Sequence, residues 1–144
     1  MAKFSLFLVP LFVDQIIKFY AVKLKQEITV IPGILYLHTP LYNPGIAFGV
    51  MSRHLLLSSL LSIFALYLVL FSALRLPRYR IPLYILLAGA FSNILDRIFR
   101  AGVVDYLTLR GFPWSFNLAD IFIIWGTIHY LVLSIRKEDA SNPA

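Results

Sequence analysis

The sequence contains no cysteine, which excludes disulfide staples, thiolate zinc sites and cysteine nucleophiles together. Charge is nearly as scarce. Only 14% of the 144 residues are Asp, Glu, Lys or Arg, against about a quarter in an ordinary soluble domain, and just seven are acidic. A chain this short cannot hide a 60% apolar composition inside an aqueous fold, so most of its solvent must be lipid. No H-E-x-x-H or similar ligand set occurs, and His38, His54 and His129 stand alone, each reading as a loop or packing residue. Also missing are a G-x-G-D motif, internal repeats and low-complexity tracts. The net charge of +6 does not point to nucleic acid, because the basic residues are scattered at the ends of apolar runs without a basic helix or RNA-binding signature. Anionic lipid headgroups are the expected neighbours.

What is present are apolar runs. A membrane-spanning helix needs about 20 mostly apolar residues, and four stretches meet or approach this: 4–22, 55–74, 81–99 and 116–135. The expected fold is an all-α membrane protein of four transmembrane helices with a small β-rich extracytoplasmic loop domain, residues 1–144 forming a single integral membrane domain. The first run imitates a cleaved signal peptide, but Asp14 and Lys18 interrupt it and no A-x-A site follows. Serines are the only polar residues of the second run and read as small packing residues between helices. Four spans put both termini on one side, together with Lys3, the link carrying Arg75, Arg78 and Arg80, and the pair Arg136-Lys137. The positive-inside tendency makes that side cytoplasmic, although Lys23, Lys25, Arg53, Arg100 and Arg110 fall on the other. The outer loop 23–54 holds "ITVIPGILYLHT", two β-rich runs broken by Pro32-Gly33, which predicts a hairpin or small sheet. Residues 100–115 mix apolar and basic side chains and reach Trp114, as an interfacial segment does. The tail 136–144 is expected to be cytoplasmic, with Glu138 to Ala144 disordered.

The ionisable residues of the runs converge. Asp14 and Lys18 lie one turn apart in the outer half of the first span, and Asn93, Asp96 and Arg97 crowd the outer end of the third. Asn117 and Asp120 stand in the first turn of the fourth, Asp120 about 6 Å beyond Phe116, and Asp105 lies in the link just before it. Asp14 with Lys18, and Asp96 with Arg97, are opposite charges able to neutralise each other and fix helix packing or position a substrate. Asp105 and Asp120 are left without an assigned cation. Two carboxylates brought together at a semi-dry site share one proton, and such a pair acts as acid and base at once. The rival reading of Asp120 is a helix cap, since the macrodipole favours an aspartate there. Three other readings compete: a proton-relay or transport protein using Asp14, Asp96 and Asp120, an assembly subunit locked by its polar cluster, and a serine–lysine peptidase pairing Lys18 with Ser5 or Ser92. A relay needs polar groups down to the cytoplasmic side, and the inner halves supply almost none.

Five motifs follow one another along the chain: "VDQIIK" (Val13 to Lys18), "NPGIAFG" (Asn43 to Gly49), "AGAFSNILDR" (Ala88 to Arg97), "AGVVDYL" (Ala101 to Leu107) and "FNLAD" (Phe116 to Asp120). In order and spacing they resemble the lipoprotein signal peptidases, the bacterial type II signal peptidases. That resemblance implies an aspartic endopeptidase of the bacterial cytoplasmic (inner) membrane, its active site at the outer leaflet, which removes the signal peptide from diacylglyceryl-modified prolipoproteins by cutting before the lipidated cysteine. Its partners would be the prolipoprotein and membrane lipid; no cofactor, metal or nucleic acid is expected, and the chain is expected to be a monomer. By the same resemblance Asp105 and Asp120 are the catalytic dyad. Asp14, Lys18, Asn43, Gly45, Ala47, Phe48, Gly89, Asn93, Asp96, Arg97, Val104, Phe116, Asn117 and Ala119 support it or bind substrate. The outer loop would be the family's β-cradle. Departures from the family pattern are Ala88 and Ser92, where glycine is frequent, and Pro44, which stiffens the loop.

Overall fold

The structure, a computed structural model, describes residues 2–45 and 55–141. Its elements in chain order are α1 (Ala2–Ala21), β1 (Ile28–Ile31), β2 (Leu35–Asn43), α2 (Leu55–Arg75), a 3-10 turn (Pro77–Tyr79), α3 (Arg80–Arg100), β3 (Val103–Leu109), β4 (Ser115–Phe116) and α4 (Leu118–Ser141). All four helices contain a stretch long and apolar enough to cross a membrane. With lipid as solvent, apolar side chains need not turn inward. Helix α2 accordingly buries only Ser58 and Ala73 and leaves Leu56, Phe64, Tyr67 and Leu74 on its outside.

Helix α3 is the central element, packed against α1, α2 and α4. Its buried face is built from small and polar residues, including Ala88, Gly89, Ser92, Asn93 and Asp96, so neighbouring backbones approach closely and polar groups are brought indoors. At Gly89 an added Cβ would run into the Ala119 carbonyl oxygen, and at Gly126 it would meet the Pro82 carbonyl oxygen at 2.7 Å. The α3–α4 contact is thus a glycine contact at both ends. An apolar cluster of Ala73, Tyr79, Leu83 and Leu87 closes the end of the bundle near the 3-10 turn. A second, of Ala21, Val104 and Tyr106, seals the other end, where α1 meets the sheet.

The expected hairpin is present: β1 and β2 pair antiparallel across a turn in which Gly33 takes φ 73°, a left-handed conformation open to glycine. It is half of a larger sheet. The order is β1-β2-β3-β4, all antiparallel, with Leu41 opposite Asp105 and Leu107 opposite Phe116. The link 100–115, expected as an interfacial segment, therefore supplies two strands. Its alternation is weak, and the β2 edge it completes lies some sixty residues earlier, out of reach of any local pattern. Ala101, in the left-handed region at φ 58°, ends α3 and turns the chain into β3. Two boundaries also differ from expectation. Phe116 belongs to β4, and α4 begins at Leu118; at the other end α4 runs on to Ser141, through residues expected to be disordered, because no helix breaker intervenes before Pro143.

Candidate active site

Where α1 and α3 end, α4 begins and the sheet lies across them, the polar residues of all these elements meet. Their centre is Lys18, fully buried. Its ammonium lies 2.8 Å from Asp14 Oδ2 and 2.7 Å from Asp96 Oδ2, both carboxylates also fully buried. The second carboxylate receives further donors: Arg100, one turn along α3, and Gln15 Nε2 at 3.1 Å, both on Oδ1. Gln15 also donates to Ser92 Oγ at 2.8 Å, and Ser92 Oγ donates to Asp14 Oδ2 at 2.5 Å. The expected Asp14–Lys18 pair exists. The expected Asp96–Arg97 pair does not, because adjacent helical residues point apart whereas residues four apart share a face. Asp96 takes Lys18 and Arg100 instead. Gln15 and Arg100 were missed as site residues, and the i,i+4 spacing of Asp96 and Arg100 was the available signal; Ser92, weighed as a nucleophile beside Lys18, instead bonds Asp14 and Gln15.

Three asparagines bond to Asp105 and Asp120, and one of them, Asn93, joins the pair to this ion cluster. Lys18 Nζ donates to Asn93 Oδ1 at 2.9 Å, which turns the Asn93 amide so that its Nδ2 donates to Asp120 Oδ1 at 2.8 Å. Asn117 Nδ2 donates to Asp105 Oδ1 at 2.8 Å and to Asn93 Oδ1 at 3.2 Å. Asn43 Nδ2 donates to Asp105 Oδ2 at 3.2 Å, while its own Oδ1 accepts the Gly45 N–H at 2.9 Å. Asn117 and Asp120 also form a reciprocal capping box: Asn117 Oδ1 accepts the Asp120 N–H and Asp120 Oδ2 accepts the Asn117 N–H, each at 3.0 Å. The capping reading of Asp120 and its place beside Asp105 are therefore both true of one side chain.

Each oxygen of the two carboxylates thus accepts one neutral hydrogen bond, and among the described residues neither carboxylate forms an ion pair. Burial, and then the charge of Asp120, raise the Asp105 carboxyl from 3.8 to about 7, against the opposing pull of the Asn43 and Asn117 amides and of Lys18. Burial likewise holds the Tyr106 phenol above its ordinary value; its oxygen accepts the Leu118 N–H at 3.2 Å.

Both carboxylates line a cavity of about 650 Å³ whose remaining wall is mostly apolar, including Leu66 and Val69 of α2, Leu86 of α3, Phe116 of β4 and Ile124 of α4. Arg97 enters the same cavity, donating to the Gly45 carbonyl at 2.5 Å and the Asn93 carbonyl at 3.3 Å. No carboxylate among the described residues pairs with it. Of the remaining expected residues, Gly89 and Ala119 form the α3–α4 contact and Val104 is buried in β3. Ala47 and Phe48 lie outside the described residues. Ser58, read as a packing residue, donates to the Pro44 carbonyl at 2.7 Å and so ties α2 to the chain just after β2. No group of three or more His, Asp or Glu among the described residues is placed to hold a metal ion.

Fold and site together define a multi-pass membrane protein with a buried carboxylate centre opening on an apolar cavity. Two solved structures described as bacterial membrane enzymes share the fold, with TM-scores of 0.84 and 0.78, each 24% identical and covering 99% and 93% of this chain and 92% of their own. Residues 6–136 match the family model described as signal peptidase (SPase) II, and the chain belongs to that family. Relatives named lipoprotein signal peptidase include one from Caldanaerobacter subterraneus subsp. tengcongensis, 33% identical over 88% of this chain and 90% of its own. Another, from Fusobacterium nucleatum subsp. nucleatum, is 36% identical over 88% and 82%.

Proposed function

We propose that this protein is an aspartic endopeptidase that removes the signal peptide from diacylglyceryl-modified prolipoproteins, cutting before the lipidated cysteine, with Asp105 and Asp120 as its catalytic pair. Membership of the signal peptidase II family supports the substrate and the proteolytic reaction. One observation carries the choice of residues: Asp105 and Asp120 are tied to one asparagine, Asn117, form no ion pair among the described residues, and face one apolar cavity.

In this reading the signal helix lies in the apolar cavity beside α2 and α3, and a water sits between the carboxylates. The ionised carboxylate takes a proton from the water as its oxygen attacks the scissile carbonyl carbon. The protonated partner donates to the carbonyl oxygen. Collapse of the tetrahedral intermediate breaks the C–N bond and returns a proton from the pair to the leaving cysteine amine. A carboxyl held near 7 keeps a proton in the pair at neutral pH. The asparagines supply neutral donors, so they orient the carboxylates without neutralising them.

The chain is read as a single membrane domain and a monomer in the bacterial cytoplasmic membrane, termini inside and carboxylate centre at the outer leaflet. The basic link of Arg75, Arg78 and Arg80 supports that orientation. Incubation of the purified protein with a diacylglyceryl-modified precursor tests the reading. Mass spectrometry should find a product beginning at the lipidated cysteine; an intact precursor, or cleavage at another bond, would refute it.

A further inference from the structure

Two backbone bonds leave the buried ion cluster and end beside the carboxylate pair. Asp96 Oδ2, 2.7 Å from Lys18 Nζ, accepts the N–H of Val104 at 3.2 Å, and Val104 is the residue immediately before Asp105. Asp14, whose Oδ2 lies 2.8 Å from Lys18 Nζ, accepts the N–H of Ala119 on Oδ1 at 3.0 Å, and Ala119 immediately precedes Asp120. A pair of charges that served only to pack α1 against α3 would need no bond to β3 or α4. Here each arm grips the backbone one residue from a different member of the pair. Resting on the reading of Asp105 and Asp120 as the catalytic pair, we infer that Asp14, Lys18 and Asp96 form a positioning device that sets the separation and orientation of the two carboxylates.

Three properties suit the cluster to that task. All three side chains are fully buried, as are Val104 and Ala119, so water does not compete for these bonds. None of the three lines the cavity, which separates them from substrate. Lys18 is the hub: an ammonium only donates, so Asn93 must present its oxygen to Lys18 and its Nδ2 to Asp120. One cation therefore fixes the Asp105 backbone through Asp96, the Asp120 backbone through Asp14, and an Asp120 oxygen through Asn93. Among the described residues, other charged or titratable groups near the pair are Arg97 and Arg100 on α3 and Tyr106 on β3. Arg97 holds carbonyls, Arg100 binds the far oxygen of Asp96, and Tyr106 holds the Leu118 N–H, so none replaces the hub.

The test is steady-state cleavage of a diacylglyceryl-modified precursor by the full chain in detergent. The double variant Lys18→Met with Asp14→Asn keeps the cluster neutral, leaving Asp96 with Arg100. We expect KM within twofold of wild type and kcat lower by about 10- to 100-fold, the scale of a displacement near 1 Å. Should that variant fail to accumulate, Asp14→Asn alone, which retains the Lys18–Asp96 pair, is expected to lower kcat at least fivefold at unchanged KM. A kcat within threefold of wild type in the folded double variant, an unchanged kcat in the single variant where the double does not accumulate, or a loss carried mainly by KM overturns the inference. Asp105→Asn and Asp120→Asn are run alongside: if these cleave normally, the catalytic reading fails, whereas if they are inactive while the cluster variants are unimpaired, only the positioning inference fails.

Discussion

At the scale of single residues, protonation of Asp105 carries consequences for both rate and stability. Its carboxyl is raised from 3.8 to about 7, so its contribution to stability is fully present below about pH 4 and is lost as pH rises through about 7. An amide at that position cannot ionise. Thermal unfolding in detergent should therefore show Asp105→Asn overtaking wild type above pH 7, with the gap closing at lower pH. Cleavage by wild type should fall as pH rises through about 7, because the pair then loses the proton it donates. Both aspartates were legible in the sequence as carboxylates without an assigned cation, and the role proposed for them came from the family resemblance. The partner of Asp96 was misread, because proximity along the chain suggested Arg97 while helix geometry favours Arg100. The asparagine group was only partly legible, since an amide shows its orientation only once its neighbours are known.

Among the elements, the α3–α4 contact decides where Asp120 stands. Gly89 faces the Ala119 carbonyl, and any side chain there meets backbone that cannot swing aside. Gly89→Ala should cost about 1–3 kcal/mol of stability and also lower kcat, because the displaced residue adjoins Asp120. Gly126→Ala clashes with Pro82 and Leu86 at the far end of the contact. It should lower the unfolding temperature comparably while sparing the kcat of the folded fraction. Comparison of melting curves with kcat per folded molecule separates the two. The four helices were legible because length and apolarity suffice to mark them. The strands β3 and β4 were not, since "VVDYLTL" satisfies an interfacial segment as well as a strand, and only the pairing of β3 with β2, and of β4 with β3, decides between them. The β1–β2 turn was visible because Pro32-Gly33 punctuates the run.

At the scale of the whole molecule, the account places the sheet and the carboxylate centre outside and the arginine link inside. The absence of cysteine makes this directly measurable. A membrane-impermeant maleimide added to intact cells, with the outer membrane permeabilised where one is present, should label Lys25→Cys, whereas Arg78→Cys should react only once the inner membrane is opened; the reverse pattern would invert the topology. The central claim is narrower: Asp105 and Asp120 act as one proteolytic pair. Its most direct measurement is signal-peptide release from a diacylglyceryl-modified prolipoprotein by purified wild type, Asp105→Asn and Asp120→Asn, each confirmed as folded by its melting curve. The account predicts that wild type cleaves while each amide variant loses at least about 100-fold in kcat, the lower range for removing a general acid or base. Cleavage by both folded variants at the wild-type rate would contradict it.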